Sequence, residues 1–590
     1  MQKSSIFKII PSFVAACIIP LIVQLVVLDC GLSVYDWFSA NDTEADFFLV
    51  GKMVVTIITA LVMLVIILIH TIKCMIRKDS GILHTYSLTK DACNRNIYIS
   101  LSLTKDACNR NIYISLGIYV LLAVISACMA KGRSSIITGG YAQHETILVI
   151  ISYGIIFLYT CSVIDNQYDI YAFVRVFICG ALVMAVIGVF QYSETDIFGT
   201  YAGKCIITAL SGISPSRISG VFEPGMVYMT LYNPNYVGTY VSLALPLSVA
   251  GIFVFKRTEG RIMCAILAVM LVICLIGSEA SAGIAACAVS VLVTFLLYLF
   301  TRKRTRKYAA IATAVFALVI LSVCSRGRIF TDDGYYLEAV SINDNRIELT
   351  ADGVDLYIED RKLYNAESLT QENFPGIILE ETVSPEGYNG FNIKSGSICM
   401  FFTNDNPSGK YYYRNVYGKY TDDVKAADAY VFDKCQKFAT HRGYIWSKTI
   451  PLLKKHLLLG CGPDNFIFEF PNNDYLALLN NGYNASVVTR PHNMYLQTAI
   501  QTGALSLAAF VVIFICYAVS CAKALSRVGK LTDMHIISMA LFTAVTGYMI
   551  CGLAYDSSVC TAPVFWTVIA AGCACNIIIK DDKEKNDGAY

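Results

Sequence analysis

The chain of 590 residues contains seven histidines, and His492 has the most suggestive setting, in the stretch Thr489, Arg490, Pro491, His492, Asn493 before a long apolar run. A neutral imidazole can take a proton from a hydroxyl. Pro491 suits the first turn of a helix that would aim the ring toward Tyr495 or Gln497, about one turn on. Taken alone, a histidine at a helix start is more often structural. Upstream, Arg442 and Trp446 are four apart and share a helix face, and Ile445, Ile450, Leu453 and Leu457 give that helix an apolar side suited to a membrane interface. An arginine there can grip a phosphate through two parallel hydrogen bonds or merely snorkel. Gly460 and Gly462 predict a tight turn, without the Gly-Lys-Ser/Thr of a phosphate loop.

The elements that must position these groups are membrane helices. Hydrophobic residues make up 56% of the chain and charged ones 15%, with a net charge of +2. This composition excludes an ordinary soluble enzyme, which carries roughly a quarter charged residues, and argues against a nucleic-acid binder. Many of the 22 cysteines sit inside apolar runs, where they act as small hydrophobes, so no disulfide framework is expected. Apolar windows predict twelve spans: 9–28, 54–72, 112–130, 146–164, 171–190, 236–255, 262–276, 282–300, 308–324, 495–522, 536–553 and 560–579. Short loops on one side hold 23 Lys and Arg against five on the other, which puts both termini in the cytoplasm. Residues 191–235 and the long polar segment 325–494 then lie outside, at a cytoplasmic (inner or sole) cell membrane. No cleavable leader is expected, because no small-residue cleavage site follows the first apolar run.

Three parts follow: 1–324 with nine spans, 325–494 as a large outer loop, and 495–590 with three spans and a cytoplasmic tail. Within the loop, 440–494 holds the candidate residues, while 328–430 changes to period-two alternation with Asp-Gly, Glu-Gly and Ser-Gly turns, the pattern of short antiparallel strands. Tyr411, Tyr412, Tyr413, Tyr417 and Tyr420 of this insert could stack on sugars, or fill core and edge positions. Ser87–Leu101 is repeated without change as Ser102–Leu116. Two copies are too few for a solenoid, so this reads as a tolerated duplication.

Arg442-Gly-Tyr-Ile-Trp446, then Leu459-Gly-Cys-Gly462 with Phe466, then His492-Asn493 with Leu496 and Gly503 lead in that order into a membrane helix. With Arg217-Ile-Ser-Gly220 and Asn233-Pro-Asn235, they make residues 217–522 resemble the O-antigen ligase and polymerase superfamily. The resemblance implies an all-α polytopic body of about twelve transmembrane helices, GT-C-like, with a β-rich extracytoplasmic insertion. It also implies a metal-independent, cofactor-free inverting glycosyl transfer from a polyprenyl (undecaprenyl) diphosphate-linked oligosaccharide to a glycan or lipid acceptor among membrane lipids. Other polysaccharide-assembly proteins are a further class of partner, and nucleic acid is not one. On this reading His492 is the base and Arg442 holds the diphosphate, with Arg217, Arg490, Asn493, Trp446 and Asn235 binding substrate.

Two departures stand out: Ala282 occupies the place of a family arginine, leaving Arg217, Arg490 or Lys204 to replace it, and Ser506 replaces a glycine. A polymerase is the leading reading, and a ligase sharing the chemistry is the alternative. A peptidoglycan-type polymerase using Asp464 as base and a transporter remain as further readings. Against transport, charges inside the spans are nearly absent, Arg175 being the clear one.

Overall fold

The computed structural model describes residues 6–29, 43–79, 107–130, 135–219, 222–302, 305, 307, 336–343, 345–371, 373–415, 418–483, 487–526 and 531–587. The span expected at 308–324, the first repeat copy and Tyr417 lie outside the described residues. The end of the second copy forms the first turns of a membrane helix.

Among the described residues, nine helices are long and apolar enough to cross a membrane. They are α2 (Leu49–Asp79), α3 (Ala107–Met129), α5 (Gln167–Tyr192), α6 (Pro234–Val254), α7 (Thr258–Gly277), α8 (Ser281–Thr301), α11 (Ala504–Leu525), α12 (Asp533–Cys551) and α13 (Ala562–Asp587). Two more, α1 (Phe7–Leu21) and α4 (Ile147–Val163), are apolar but shorter. The chain is therefore a polytopic, mostly helical membrane protein. Asparagines and threonines start several of these helices. Thr146, Asn166 and Asn233 each accept a hydrogen bond from a first-turn backbone N–H of α4, α5 and α6, satisfying donors that a helix start leaves open.

Burial sorts the helices. On α2, Val54, Ile58, Leu61, Val65, Leu68 and Ile72 are exposed; steps of three and four make one stripe, which only a lipid environment would leave uncovered. By contrast 94% of the apolar window of α13 is buried, against 28% for α2. The bundle is thus centred on α13, with α12 and α6 also largely buried.

Two expected spans are corrected. The first apolar run, 9–28, is helical only to Leu21. Beyond it the chain is extended, and β1 (Val26–Asp29) pairs antiparallel with β2 (Thr43–Asp46), so sheet partners take over the backbone hydrogen bonds. The run 495–522 is two helices, α10 (Met494–Thr502) and α11, broken at Gly503 with φ +95°. A Cβ on Gly503 would stand 2.2 Å from the Leu458 carbonyl oxygen. Only glycine allows both this backbone approach and this conformation.

Among the described residues the insert holds nine strands in two antiparallel sheets. One contains β3 (Leu337–Asn343), β4 (Arg346–Ala351), β5 (Val354–Glu359) and β6 (Lys362–Asn365) in sequence order. The other contains β7 (Ile378–Val383), β8 (Asn389–Ser395), β9 (Ile398–Thr403), β10 (Tyr412–Arg414) and β11 (Tyr420–Thr421), also in order. Alternate residues Ile347, Leu349, Leu356, Ile358, Phe391, Ile393, Met400 and Phe402 fill the core, as period two requires. Tyr411 and Tyr413 are core residues, whereas Tyr412 and Tyr420 are half-buried. The same core includes Tyr444 and Ile445 of α9 (Phe438–His456), with Phe466, Phe470 and Tyr475. Helix α9 is therefore packed under the insert instead of lying free on a membrane interface, and its position is set from both sides.

Candidate active site

The candidate residues converge on a short loop between α12 and α13. Asn493 donates through Nδ2 to the Leu553 carbonyl at 2.9 Å. Arg442 donates through Nε to the Ala554 carbonyl at 2.9 Å, and its guanidinium lies 5.5 Å from the centre of the Tyr555 ring. His492 Nδ1 stands 2.9 Å from Asp556 Oδ2. Four consecutive residues, Leu553 to Asp556, thus hold three groups that the sequence singled out: Asn493, Arg442 and His492.

The sequence-based expectation for His492 is corrected in two respects. Its partner is Asp556, not Gln497 or Tyr495: Tyr495 donates to the Met549 carbonyl, and Gln497 donates to Glu145. Nor does Pro491 open the helix. Asn493 does so as the N-cap, accepting from Tyr495 N and Leu496 N at 3.0 Å each, with His492 before it in the left-handed region at φ +49°. That turn aims the imidazole away from the helix axis and onto the loop. The His492 side chain is 36% exposed and that of Asp556 only 2%. Burial pushes the Asp556 carboxyl up, but the charges and hydrogen bond of His492, with Arg490, hold it below its usual value. A carboxylate on Nδ1 fixes the Nδ1–H tautomer, which leaves Nε2 as the lone-pair nitrogen.

Arg442 begins the regular part of α9, after Ala439, Thr440 and His441 in left-handed conformations. Its Nη1 donates to the Ala439 carbonyl; Nη2 makes no hydrogen bond among the described residues. One turn on, Trp446 donates from Nε1 to the Pro491 carbonyl at 2.9 Å, so the shared helix face of Arg442 and Trp446 is the face that meets the His492 segment. Tyr555 packs with Ala282 at the start of α8.

Arg490 is buried. It donates to the Tyr236 hydroxyl and stacks on the Tyr232 ring, leaving Nη2 buried and unpartnered. Asn235 adjoins Tyr236 in the first turn of α6, half-buried. Arg217 is exposed at the end of a one-turn helix, Pro215–Arg217, and no hydrogen bond joins it to the other candidates. Asp464 is fully buried at φ +57°, accepting from Gly140 N at 3.3 Å. Burial, then the charge of Glu145, pushes its carboxyl up to about 8, so it is neutral near pH 7 and has no exposed oxygen to serve as a base.

Two acids escaped the sequence reading. Asp556 is the one charged residue between Gly552 and Thr561, and an isolated carboxylate in so short an apolar loop was the available signal. Glu145 accepts from Tyr153, Ser557 and Gln497, and burial, opposed by its hydrogen bonds with Ser557 and Tyr153, pushes it up to about 7. No group of three or more His, Cys, Asp or Glu side chains poised to hold a metal occurs among the described residues.

Fold and site together define a multi-pass membrane protein with a histidine–carboxylate pair and an arginine set beside a β-rich insert. Residues 411–511 match the family model described as O-antigen ligase, which supports the likeness to the O-antigen ligase/polymerase superfamily over that segment. Arg442, Trp446, Arg490, His492 and Asn493 lie inside the matched segment; Arg217, Asn235 and Asp556 lie outside it. A search of curated proteins finds no match to this chain. The matched segment supports an enzyme of the ligase/polymerase kind.

Proposed function

We propose that this protein is a glycan polymerase. It moves an oligosaccharide from a polyprenyl diphosphate carrier to an acceptor sugar hydroxyl at the outer face of the cytoplasmic membrane. The observation that carries this reading is the His492–Asp556 pair standing on the same loop that holds Arg442. In the proposed step the acceptor oxygen attacks the anomeric carbon with inversion, and its proton passes to His492 Nε2. The bond to the diphosphate oxygen breaks, and the electron pair leaves with the carrier. Arg442, with Nη2 free, faces the charge that develops there; such fixed cations can contribute several kcal/mol. A positioned base contributes about 10²–10⁴-fold. No metal enters the step. Trp446 and Asn235 line the approach, Arg217 is a further cation for the diphosphate, and Asn493 and Arg490 support His492 from behind.

The topology proposed is GT-C-like with twelve spans, the ninth at 308–324, both termini cytoplasmic and 325–494 outside. A ligase delivering finished glycan to a lipid, wall polymer or protein would use the same residues with another acceptor. Burial of Asp464 speaks against the reading in which it is the base. The test is to incubate the purified protein with a lipid-linked repeat unit and resolve the products by size. A ladder of longer glycans on the carrier is expected; no product without an added second acceptor would favour the ligase.

A further inference from the structure

Behind the His492–Asp556 pair, Glu145 ties together the two segments that carry it. Its Oε1 accepts from Ser557 Oγ at 2.6 Å and from Tyr153 OH at 2.8 Å, and its Oε2 accepts from Gln497 Nε2 at 3.1 Å. Gln497 in turn accepts through Oε1 from Ser557 N at 2.8 Å. Ser557 follows Asp556 in the loop, and Gln497 lies in α10, whose N-cap Asn493 follows His492. One buried carboxyl therefore joins the loop bearing the acid, the helix behind the base, and α4. Glu145, Gln497, Gln501 and Ser557 also border a cavity of about 20 Å³ with Tyr119, Tyr548 and Trp566, room for about one water.

We infer that Glu145 is a positioning residue: with Gln497 and Ser557 it forms a clamp that fixes the spacing of His492 and Asp556. The inference rests on the glycosyl-transfer reading and deepens it, because the clamp touches no substrate and acts through the pair. Buried polar networks of this kind hold one arrangement when every member is satisfied and fail when one is not. Here the bonding pattern is directional. Gln497 must present its N–H₂ to Glu145, since its oxygen is taken by Ser557 N.

That direction supplies the test. Glu145→Gln keeps size and can still accept from Ser557 and Tyr153, but sets an N–H₂ against the N–H₂ of Gln497. Swapping the pair, Glu145→Gln with Gln497→Glu, restores a donor–acceptor match, with Glu at 497 accepting from both Gln at 145 and Ser557 N. In purified protein given a lipid-linked repeat unit, Glu145→Gln is expected to lower kcat by about 10²-fold, the effect of roughly 1 Å of misplacement, with KM little changed. The swap is expected to recover at least about tenfold of that loss. Ser557→Ala, the gentler variant should Glu145→Gln not fold, is expected to lower kcat with KM held. Wild-type kcat in Glu145→Gln, a folded Glu145→Gln that the swap does not rescue, or wild-type kcat in Ser557→Ala would overturn the clamp. Full activity in His492→Ala would instead overturn the glycosyl-transfer reading beneath it, so the two failures are told apart.

Discussion

The β-rich insert and the loop between α12 and α13 use charge in opposite ways. The insert carries Arg414–Glu386, Lys394–Glu380 and Arg346–Glu359 on its surface, all partly exposed. Water screens such pairs, and they contribute little to stability. The loop carries one carboxylate, Asp556, with 2% of its side chain exposed, on which His492 depends. Removing one partner of a buried pair leaves the other uncompensated. The difference teaches that charge matters here by burial and not by number: the insert holds many pairs, and the loop holds the consequential one.

Substitutions separate the two regions. The largest effect is expected at the loop: His492→Ala and Arg442→Ala should each abolish glycan assembly while membrane insertion persists, checked by product ladders from purified protein. Near-normal polymer from either would dissolve the contrast. Asp556→Asn should reduce kcat by roughly 10²-fold or more, because an amide can hold the imidazole in the wrong tautomer; retained kcat would make Asp556 a packing residue only. In the insert the large effects should come from apolar burial. Phe402, wholly buried in its core, should cost about 3–5 kcal/mol of insert stability on change to Ala, seen as protease cleavage within 337–421.

Graded by pH is the contribution of the two buried acids whose carboxyls are raised, Asp464 to about 8 and Glu145 to about 7. Folded, they keep protons that the unfolded chain releases near its ordinary carboxyl values. Their stabilisation is full below about pH 4 and is lost as pH rises through 7 to 8, at no more than about 1.4 kcal/mol per pH unit for each. Melting temperature in detergent should therefore fall across that window, and Asp464→Asn should flatten the fall. Least of all, Arg414→Ala on the insert surface should leave melting unchanged within scatter; a clear drop would show that the exposed pairs matter too.

Much of the fold was legible because lipid and core impose strong periodicities. The apolar window of α2 and the alternation in β4, β5, β8 and β9 were readable in the sequence. The break at Gly503 was not, since the apolar run continues through it and only the approach of the Leu458 backbone demands glycine. The early end of α1 depends on a strand partner well along the chain. In the candidate site, His492, Arg442 and Trp446 stood out by type and spacing, and their order carried the resemblance that the match over 411–511 supports. Asp556 and Glu145 were not, because their roles exist only where three separate segments meet. Asn493 was noticed for its neighbour, while its oxygen caps α10 and its nitrogen holds Leu553.

The break at Gly503 has a mechanical meaning. The joint is a buttress: the Leu458 backbone lies against Gly503, and Ala504 N donates to the Leu457 carbonyl at 2.7 Å. The end of α9 is thereby pinned where α10 meets α11. A side chain at 503 would push that segment off and shift Arg442 relative to His492.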